Sequence, residues 1–441
     1  MIKDAQGQTA SGATAEAMAS YDQAVRAFGL AYGDPIGRFD AARAAAPAFV
    51  MAHLGKAWLF LLARDPMLNA RARDLIQATR DLPMNDRERS HLAALDKTAS
   101  YARASAVAVL DQHLMHWPFD ILAHQVALLF DLSLGRVRWM RERAARALPL
   151  WSKNLPGYAA LLSFHGFGLE ENGDYAQAED ESRAVAQMEP NSWFAHHTVT
   201  HVMEMMGRPE DGIGWMSARE PFWSSDTHPN RDHIWWHKAL YHLELGQYDA
   251  ALALYDGPFL AAEKPIAMSL THASALLWRL DTLGVDVADR WRALLPRWQG
   301  HADGRCLVFA DLHAIMAELR AGKEVAAERR IATMRQTAAS NDEAASTYGE
   351  VGVPIAEGLL AFHRGAYAAA VTYLLPARFE LWRIGGSHAQ RDVIDWTLTE
   401  AALRANQRPV ALSLAHERLS LRPRSQINRT FLHRAETISH I

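Results

Sequence analysis

Cysteine is nearly absent from this sequence of 441 residues, which contains only Cys306. A single cysteine excludes a disulfide within the chain and any zinc finger that is built on cysteines. An excess of one charge is also lacking, because 46 Lys and Arg stand against 50 Asp and Glu, a net charge of -4, without large blocks of either sign. A broad nucleic-acid surface needs clustered basic residues, so we expect no nucleic-acid partner.

Long hydrophobic runs are missing as well. No stretch approaches 18 consecutive apolar residues, so we predict no membrane-spanning helix and no membrane partner. The first twenty residues contain no apolar core of the kind that a signal peptide requires. By default these absences lead us to expect a cytoplasmic protein. Apolar residues make up 49% of the chain, which is enough to build a globular core.

Several motifs that would identify an enzyme class are also absent. The sequence has no phosphate-binding G-x-x-x-x-G-K-[ST] motif, no dinucleotide-binding G-x-G-x-x-G after a strand and no G-x-S-x-G nucleophile turn. Cys306 lies in the apolar stretch CLVFA, which is typical of a buried residue. Any chemistry must therefore be carried by other residue types.

Helical periodicity fills most of the chain. Segments such as AHLGKAWLFLLAR and DILAHQVALLFDLSL place apolar residues three and four positions apart, as one face of an amphipathic helix requires. Alternating strand patterns are scarce, and alanine is abundant, which suits helices and their close packing. We predict an all-α protein.

A repeated motif indicates how these helices are arranged. The pattern Gly-x-aromatic-x-x-Ala occurs at Gly37, Gly173, Gly246 and Gly365. In a helix–turn–helix repeat the glycine ends one helix and the aromatic residue begins the next. The segment from Tyr158 to Pro190 fits one tetratricopeptide repeat. We predict a right-handed α-solenoid of tetratricopeptide-like helical hairpins with a concave face, formed by residues 21–441 as a single domain after a loosely ordered stretch over residues 1–20.

The histidines are concentrated in the middle of the chain. Eight of the 21 lie between positions 165 and 242: His165, His196, His197, His201, His228, His233, His237 and His242. His197 and His201 are four residues apart, Glu204 follows three residues later, and His233 and His237 repeat the four-residue spacing. Residues three and four apart share one helix face, so the two pairs could line one groove, with His165 beside them.

Three interpretations of these histidines remain open. Converging imidazoles with a carboxylate suit a divalent transition metal, with His197, His201, His233 and His237 as ligands. They also suit general acid–base chemistry without a metal, because histidine titrates near neutral pH. Histidines packed beside tryptophan and methionine are, however, often only structural. The spacing is not the H-E-x-x-H motif of metalloproteases.

Two other segments carry ionisable groups. In RIGGSHAQRDV, Ser387 and Gln390 have the spacing of a capping box, so a helix should begin there. His388, Arg391 and Asp392 in its first turns could form a seat for an anion, with Arg391 as the clamp. In FADLHAIMAEL, Asp311 and His313 are two residues apart and do not share a helix face.

The sequence resembles the tetratricopeptide repeat protein 38 family. The resemblance is carried by FHGFGLEENGDYAQAE, HHTVTHVMEMMGRPEDGIGWM, HIWWHKALYHLELGQYDAALALYD, ADLHAIMAEL and GGSHAQRDV, and it extends from about Tyr21 to Arg434. It implies an α-helical tetratricopeptide-like superhelix and does not settle a biochemical activity. The segments that carry it contain the histidines and polar residues named above, whereas a pure scaffold would more naturally be recognised by its packing positions.

Our main hypothesis is a polar, histidine-rich pocket that binds a small molecule and acts as a hydrolase on an amide or ester bond. The catalytic candidates are His165, His197, His201, Glu204, His233, His237, Asp311 and His313. The substrate-binding candidates are Trp236, His388, Gln390, Arg391 and Asp392. The alternative is a non-enzymatic interaction scaffold that binds a peptide or partner protein in its groove, and either function is compatible with a homo-oligomer.

Overall fold

The computed structural model describes residues 2–224, 230–262 and 265–439, and helices form most of it. Strands are confined in these residues to a short antiparallel hairpin of β1, Ile2–Lys3, and β2, Thr9–Ala10, in which Ile2 lies opposite Ala10. The prediction of an all-α protein is confirmed.

The helices follow one another with short connections. The first thirteen are α1 Ala15–Leu30, α2 Pro35–Ala45, α3 Val50–Leu62, α4 Pro66–Thr79, α5 Asp86–Ala99, α6 Arg103–His116, α7 Ile121–Ser133, α8 Val137–Ala147, α9 Tyr158–Glu171, α10 Tyr175–Met188, α11 Trp193–Met205, α12 Pro209–Ala218 and α13 Glu220–Trp223. The others are α14 Arg231–Glu244, α15 Tyr248–Asp256, α16 Ala267–Thr282, α17 Ala288–Leu294, α18 Val308–Arg320, α19 Glu324–Ala338, α20 Ala345–Thr347, α21 Val353–His363, α22 Tyr367–Ala377, α23 His388–Arg404, α24 Arg408–Leu421 and α25 Gln426–Glu436.

The chain divides into two compact units, whereas the sequence predicts a single domain from residue 21 onward. The first unit comprises Met1–Val199 and Arg219–Arg231, and the second comprises Thr200–Ala218 and Asp232–Ile441. The division falls within α11, between Val199 and Thr200.

Consecutive helices pack against each other within each unit. In the first unit α1 packs on α2, α3 on α4, α5 on α6 and α9 on α10. In the second unit α18 packs on α19, α21 on α22 and α24 on α25. Helices α3, α7, α16 and α18 are buried on almost all sides, and apolar residues make up more than half of each. The fold is therefore a tetratricopeptide-like array of helical hairpins.

Three of the four repeat glycines occupy the predicted turns. Gly173, Gly246 and Gly365 have φ angles of 86°, 70° and 75°, a left-handed conformation that glycine adopts without steric cost. The prediction for Gly37 is wrong, because this residue lies inside α2. That helix already begins at Pro35, with Asp34 accepting a hydrogen bond from Gly37 N as the N-cap.

The sequence predicts loose order for residues 1–20, whereas residues 2–10 form the β-hairpin and α1 begins at Ala15. The hairpin is held by charge, since Arg87 donates to Asp4 Oδ2 at 2.9 Å and both side chains are buried. Among the described helices, none combines the length and apolar character that crossing a membrane would need.

Candidate functional site

Three buried histidines meet in the second unit. His201 lies on α11, and His233 and His237 lie one turn apart on α14. Each offers a ring nitrogen within 4.8 Å of the others, and His237 Nε2 lies 3.2 Å from His233 Nε2. Their exposure is between 0% and 8%. We call these three residues the histidine cluster.

Glu204, on α11, holds the ring of His237, one member of the cluster, by a hydrogen bond. Its Oε2 accepts a hydrogen bond from His237 Nδ1 at 2.8 Å. Burial alone would raise the pKa of Glu204, but the hydrogen bond from His237 and the nearby Arg422 lower it, so this carboxylate is ionised. Burial lowers the pKa of His237 to about 4, so its imidazole is neutral near pH 7.

Two residues from distant parts of the chain determine the ring position of His233, a second member of the cluster. His233 Nδ1 lies 2.8 Å from Nε2 of His272 on α16, and that same Nε2 lies 2.9 Å from Gln390 Nε2. Gln390 Oε1 accepts a hydrogen bond from Ser387 N, which leaves the Nε2 group of Gln390 to act as a donor. His272 Nε2 must therefore be an acceptor, and His233 Nδ1 must carry a proton.

Trp236 packs against this arrangement. Its ring is stacked on His233 with centroids 5.5 Å apart, and its centroid lies 5.2 Å from that of His272. Its side chain is fully buried, so it shields the imidazoles from water. Trp236 therefore covers one side of the histidine cluster.

Asp392 is surrounded by arginines. Its Oδ1 accepts from Arg418 and Arg422, each at 2.9 Å, and its Oδ2 lies 3.5 Å from Arg279 NH2. Burial alone would raise the pKa of Asp392, but the three guanidinium groups hold it below the ordinary value. Arg422 also lies 3.8 Å from Glu204, which links this group to the histidine cluster.

The arginines line a small pocket that is partly open to solvent. We call it the arginine pocket. Its polar lining includes Glu204, Tyr241, Glu244, Arg279, Asp392, Arg418, Arg422, Ser425 and Asn428. Its apolar lining includes Met203, Leu240, Leu243, Trp396 and Ile427. Nothing in the local sequence distinguishes these arginines from surface arginines, so sequence patterns do not reveal them.

The helix start at GGSHAQRDV is as predicted, with a complete capping box between Ser387 and Gln390. Two further polar residues of this segment, His388 and Arg391, contact the start of the helix itself. Arg391 donates to Gly386 O, and its NH2 lies 3.4 Å from His388 Nδ1, so both residues contact the start of their own helix. Neither is among the residues that line the arginine pocket.

Asp311 belongs to a separate network. It accepts hydrogen bonds from Gly304 N at 2.8 Å and from the Tyr348 hydroxyl at 2.7 Å, and it lies 3.4 Å from Arg330. Burial raises the pKa of Asp311 to about 6. His313 bonds through Nδ1 to Phe309 O on its own helix. In this structure the hydrogen bonds of Asp311 anchor the segment around Gly304 rather than orienting a histidine of the cluster.

His165 and His197 belong to the first unit. His165 Nδ1 donates to Glu181 at 2.8 Å, a partly exposed pair that connects α9 with α10. His197 is stacked on Trp193 with ring centroids 4.5 Å apart, and it also contacts Phe167. His228 lies outside the described residues.

The first unit contains a buried charged group that no sequence pattern predicts. Asp120 Oδ2 lies 2.5 Å from Arg87 Nε, 3.0 Å from His91 Nε2 and 3.2 Å from His113 Nε2, all of them buried. Trp58 donates to His91 Nδ1, so His91 Nε2 carries the proton that bonds to Asp120. Because that carboxylate oxygen already accepts from several donors, we interpret this group as a structural hydrogen-bond network rather than a metal site.

No protein-family model matches the chain, so membership of the tetratricopeptide repeat protein 38 family stays a prediction. Among solved structures, the human IFIT1 dimer with m7Gppp-AAAA is 12% identical, with 88% of this chain and 89% of that chain covered and a TM-score of 0.43. The APC/C hetero-tetramer Cut9-Hcn1 is 12% identical, with 95% and 76% covered and a TM-score of 0.40. Similarity this distant carries no information on ligands.

Proposed function

We propose that this protein is a partner-binding helical-repeat protein whose second unit receives a carboxylate-bearing peptide segment of another protein. The observation that carries the proposal is the convergence of Arg279, Arg418 and Arg422 in a pocket that also has an apolar wall. Guanidinium groups match the planar geometry of a carboxylate and bind it with two parallel hydrogen bonds.

The arginine pocket already holds two carboxylates of its own chain. Asp392 is bound by the arginines, and Glu244 accepts from Ser425 Oγ at 3.1 Å and from Gln426 N at 2.6 Å, at the start of α25. A helix start with free N–H groups favours an anion, as a guanidinium does. The polar groups of this pocket are therefore of the kind that bind carboxylates.

The charges in the pocket are compatible with an incoming anion. Burial raises the pKa of Glu244, so this carboxyl group gives up its proton less readily than a surface glutamate. The arginines stay charged at any physiological pH. Positive charge is therefore at least as abundant as negative charge around the pocket, although Asp392 and Glu204 contribute carboxylates of their own.

The apolar part of the lining favours a peptide over a small inorganic anion. Arg418 lies over the Trp396 ring at 5.8 Å, and Leu240 and Ile427 also line the pocket. A peptide end, or an acidic side chain beside an apolar one, offers both a carboxylate and an apolar group. Most small-molecule and peptide pockets combine apolar walls with a few placed polar groups in this way.

Hydrolysis receives less support from the geometry. A general base must come within hydrogen-bond distance of the group that it deprotonates. Of the catalytic candidates, Glu204 lines the arginine pocket, whereas the described lining contains none of the histidines His201, His233 and His237. The partner-binding alternative therefore fits this site better than the hydrolase hypothesis.

A peptide-binding assay on the full chain tests the proposal. The probes are fluorescein-labelled random-sequence peptide pools with a free carboxyl terminus, the same pools amidated at that terminus, and pools with internal Asp and Glu. We expect binding that needs a carboxylate and that weakens as salt is added, because the attraction is electrostatic. Arg422→Ala should weaken the selected peptide by about tenfold or more, since a hydrogen bond to a charged group contributes about 1.5–3 kcal/mol.

Arg290→Ala is the matched control, because Arg290 is a partly exposed arginine of the second unit that pairs with Asp256 outside the pocket. It should leave peptide binding unchanged. Thermal unfolding of each variant shows whether the fold is intact. Peptides that bind equally well when amidated and without acidic residues would contradict the proposal, as would binding that survives both Arg422→Ala and Arg418→Ala. Selective binding of free glutarate without any peptide would favour a small-molecule ligand instead.

A further inference from the structure

The proton positions in the histidine cluster follow from its neighbours. Glu204 Oε2 is an acceptor, so His237 Nδ1 carries a proton, and Nε2 is the nitrogen of His237 that can serve as a metal ligand. Ser387 N fixes the Gln390 amide, which donates to His272, and His272 in turn accepts from His233 Nδ1. Since Nδ1 of His233 is the donor, Nε2 is the nitrogen of His233 that can serve as a metal ligand.

These two ring nitrogens lie close together inside the cluster. His233 Nε2 and His237 Nε2 are 3.2 Å apart, and both residues are buried. A metal ion that is bound by two imidazole nitrogens holds them at about this separation.

We infer that His201, His233 and His237 bind one divalent transition metal ion of the Zn²⁺ class, with Glu204 and His272 as positioning residues. Two nitrogen ligands at 2.0–2.1 Å from a tetrahedral Zn²⁺ lie about 3.3–3.4 Å apart, close to the distance between the two Nε2 atoms. His201 supplies the third nitrogen, within 4.8 Å of the other two. Three neutral imidazoles suit zinc, cobalt, nickel or copper better than magnesium or calcium.

The surroundings of the cluster match those of known histidine–metal sites. A metal-bound histidine almost always donates its second ring nitrogen to a carboxylate, a backbone carbonyl or water. His237 does so to Glu204, and His233 has the ring nitrogen of His272 as its acceptor. The buried group around Asp120 in the first unit differs on this point, since the proton on His91 Nε2 points at the carboxylate.

The site is independent of peptide binding in the arginine pocket, although Glu204 contacts both. A protein that binds the metal but no peptide would leave this inference intact. The reverse result would leave the proposed function intact.

Metal titration of the full chain tests the inference. Purified protein is stripped with a chelator, checked for native helix content by circular dichroism, and titrated with Co²⁺ and then with Zn²⁺. We expect one Co²⁺ per chain, with the strong visible bands of a tetrahedral site, and its displacement by one equivalent of Zn²⁺. A folded, stripped protein that takes up no stoichiometric metal would overturn the inference.

Single substitutions locate the site. His233→Ala and His237→Ala should abolish stoichiometric binding, whereas His242→Ala, on the same helix but bonded to Gln247, should leave it unchanged. Glu204→Gln should weaken binding by about 10–100-fold, the usual effect of losing the partner of a metal ligand. Metal binding that survives His237→Ala would place the ion elsewhere and refute the assignment.

The substitution Gln390→Glu distinguishes the role of Gln390 in positioning the histidines from its role in capping α23. A glutamate at this position can still accept from Ser387 N and complete the capping box. It cannot donate to His272, so His272 Nε2 would carry a proton and His233 Nδ1 would have to accept it. The lone pair of His233 Nε2 is then lost, and we expect metal affinity to fall by about 10–100-fold with little change in thermal stability. Unchanged affinity in a folded Gln390→Glu protein would contradict the proposed proton arrangement.

Discussion

Gln390 donates a hydrogen bond to His272 over 2.9 Å, although 118 residues separate them in the sequence. The residue that completes the capping box of α23 thus also sets which nitrogen of His272 carries a proton. A local helix-start signal and a distant histidine are coupled through one amide group. Substitutions at the start of α23 should therefore affect both stability and the histidine cluster.

Ser387→Ala should lower the free energy of unfolding by about 0.5–2 kcal/mol, because it removes the side-chain acceptor for Gln390 N. Urea unfolding followed by circular dichroism measures this change. Ser413→Ala is the control, since the exposed Ser413 bonds only to a carbonyl of its own helix, Pro409 O. It should change stability by less than about 0.5 kcal/mol. Equal effects of the two substitutions would show that the capping box contributes nothing.

Arg391→Lys should reduce stability by about 1 kcal/mol and leave peptide binding unchanged. The guanidinium group donates to Gly386 O at the start of its own helix, and a lysine cannot reproduce the same set of hydrogen bonds. Melting curves and the peptide assay are read on the same samples. Arg422→Lys provides the contrast, because it should weaken peptide binding more than it lowers the melting temperature. A selective loss of peptide binding in Arg391→Lys would restore the anion-clamp hypothesis for Arg391.

The fold was largely predictable because its signals are local. Helical periodicity, the turn glycine Gly173 and the capping box at Ser387 each depend on residues within a few positions of one another. Gly37 shows the limit of this approach, since Asp34 and Pro35 begin α2 earlier than the repeat motif suggests. The motif alone carries no information about the competing helix-start signal.

The candidate site was only partly predictable. His201, Glu204, His233 and His237 were found because regular spacing on two helices places them on shared faces. His272 has no such pattern, as it is an isolated histidine in the buried helix α16. Its role depends on packing against Gln390, and sequence spacing cannot give a contact between α16 and α23. The same is true of the arginines around Asp392, because Arg279 lies on α16 whereas Arg418 and Arg422 lie at the end of α24.

Asp120→Asn should destabilise the protein by about 3–5 kcal/mol, because it leaves the buried Arg87 without its closest negative partner. His91 would also lose its charged acceptor. Chemical unfolding of the full chain measures the effect. Asp289→Asn is the control, since Asp289 is a largely exposed aspartate that pairs with Arg292 on its own helix, and it should have little effect. A loss below about 1 kcal/mol for Asp120→Asn would mean that Asp4 alone compensates Arg87.

His124 should make the stability of the protein fall as the pH drops below its unfolded-state pKa. Its Nε2 lies 3.0 Å from Pro118 O, and burial lowers its pKa from 6.5 to about 4, with Asp120 opposing this effect and Arg143 and Arg146 adding to it. Between these two values the unfolded chain binds a proton that the folded chain does not, so acid favours unfolding. This contribution to the free energy of unfolding is fully present at pH values above the unfolded-state pKa of His124. It amounts to about 3 kcal/mol, because one pKa unit corresponds to about 1.4 kcal/mol.

The variant His124→Gln keeps a donor for Pro118 O but cannot take up a proton. It should be less stable than the natural protein at about pH 7.5, yet lose about 2–3 kcal/mol less between there and about pH 4.5. Urea unfolding at several pH values measures this difference. His116→Gln is the control, because His116 is exposed and bonds to Gln112 O on its own helix, and the acid-dependent loss should then equal that of the natural protein. If both variants lose stability in parallel with the natural protein, His124 is not the residue whose protonation on unfolding causes the loss.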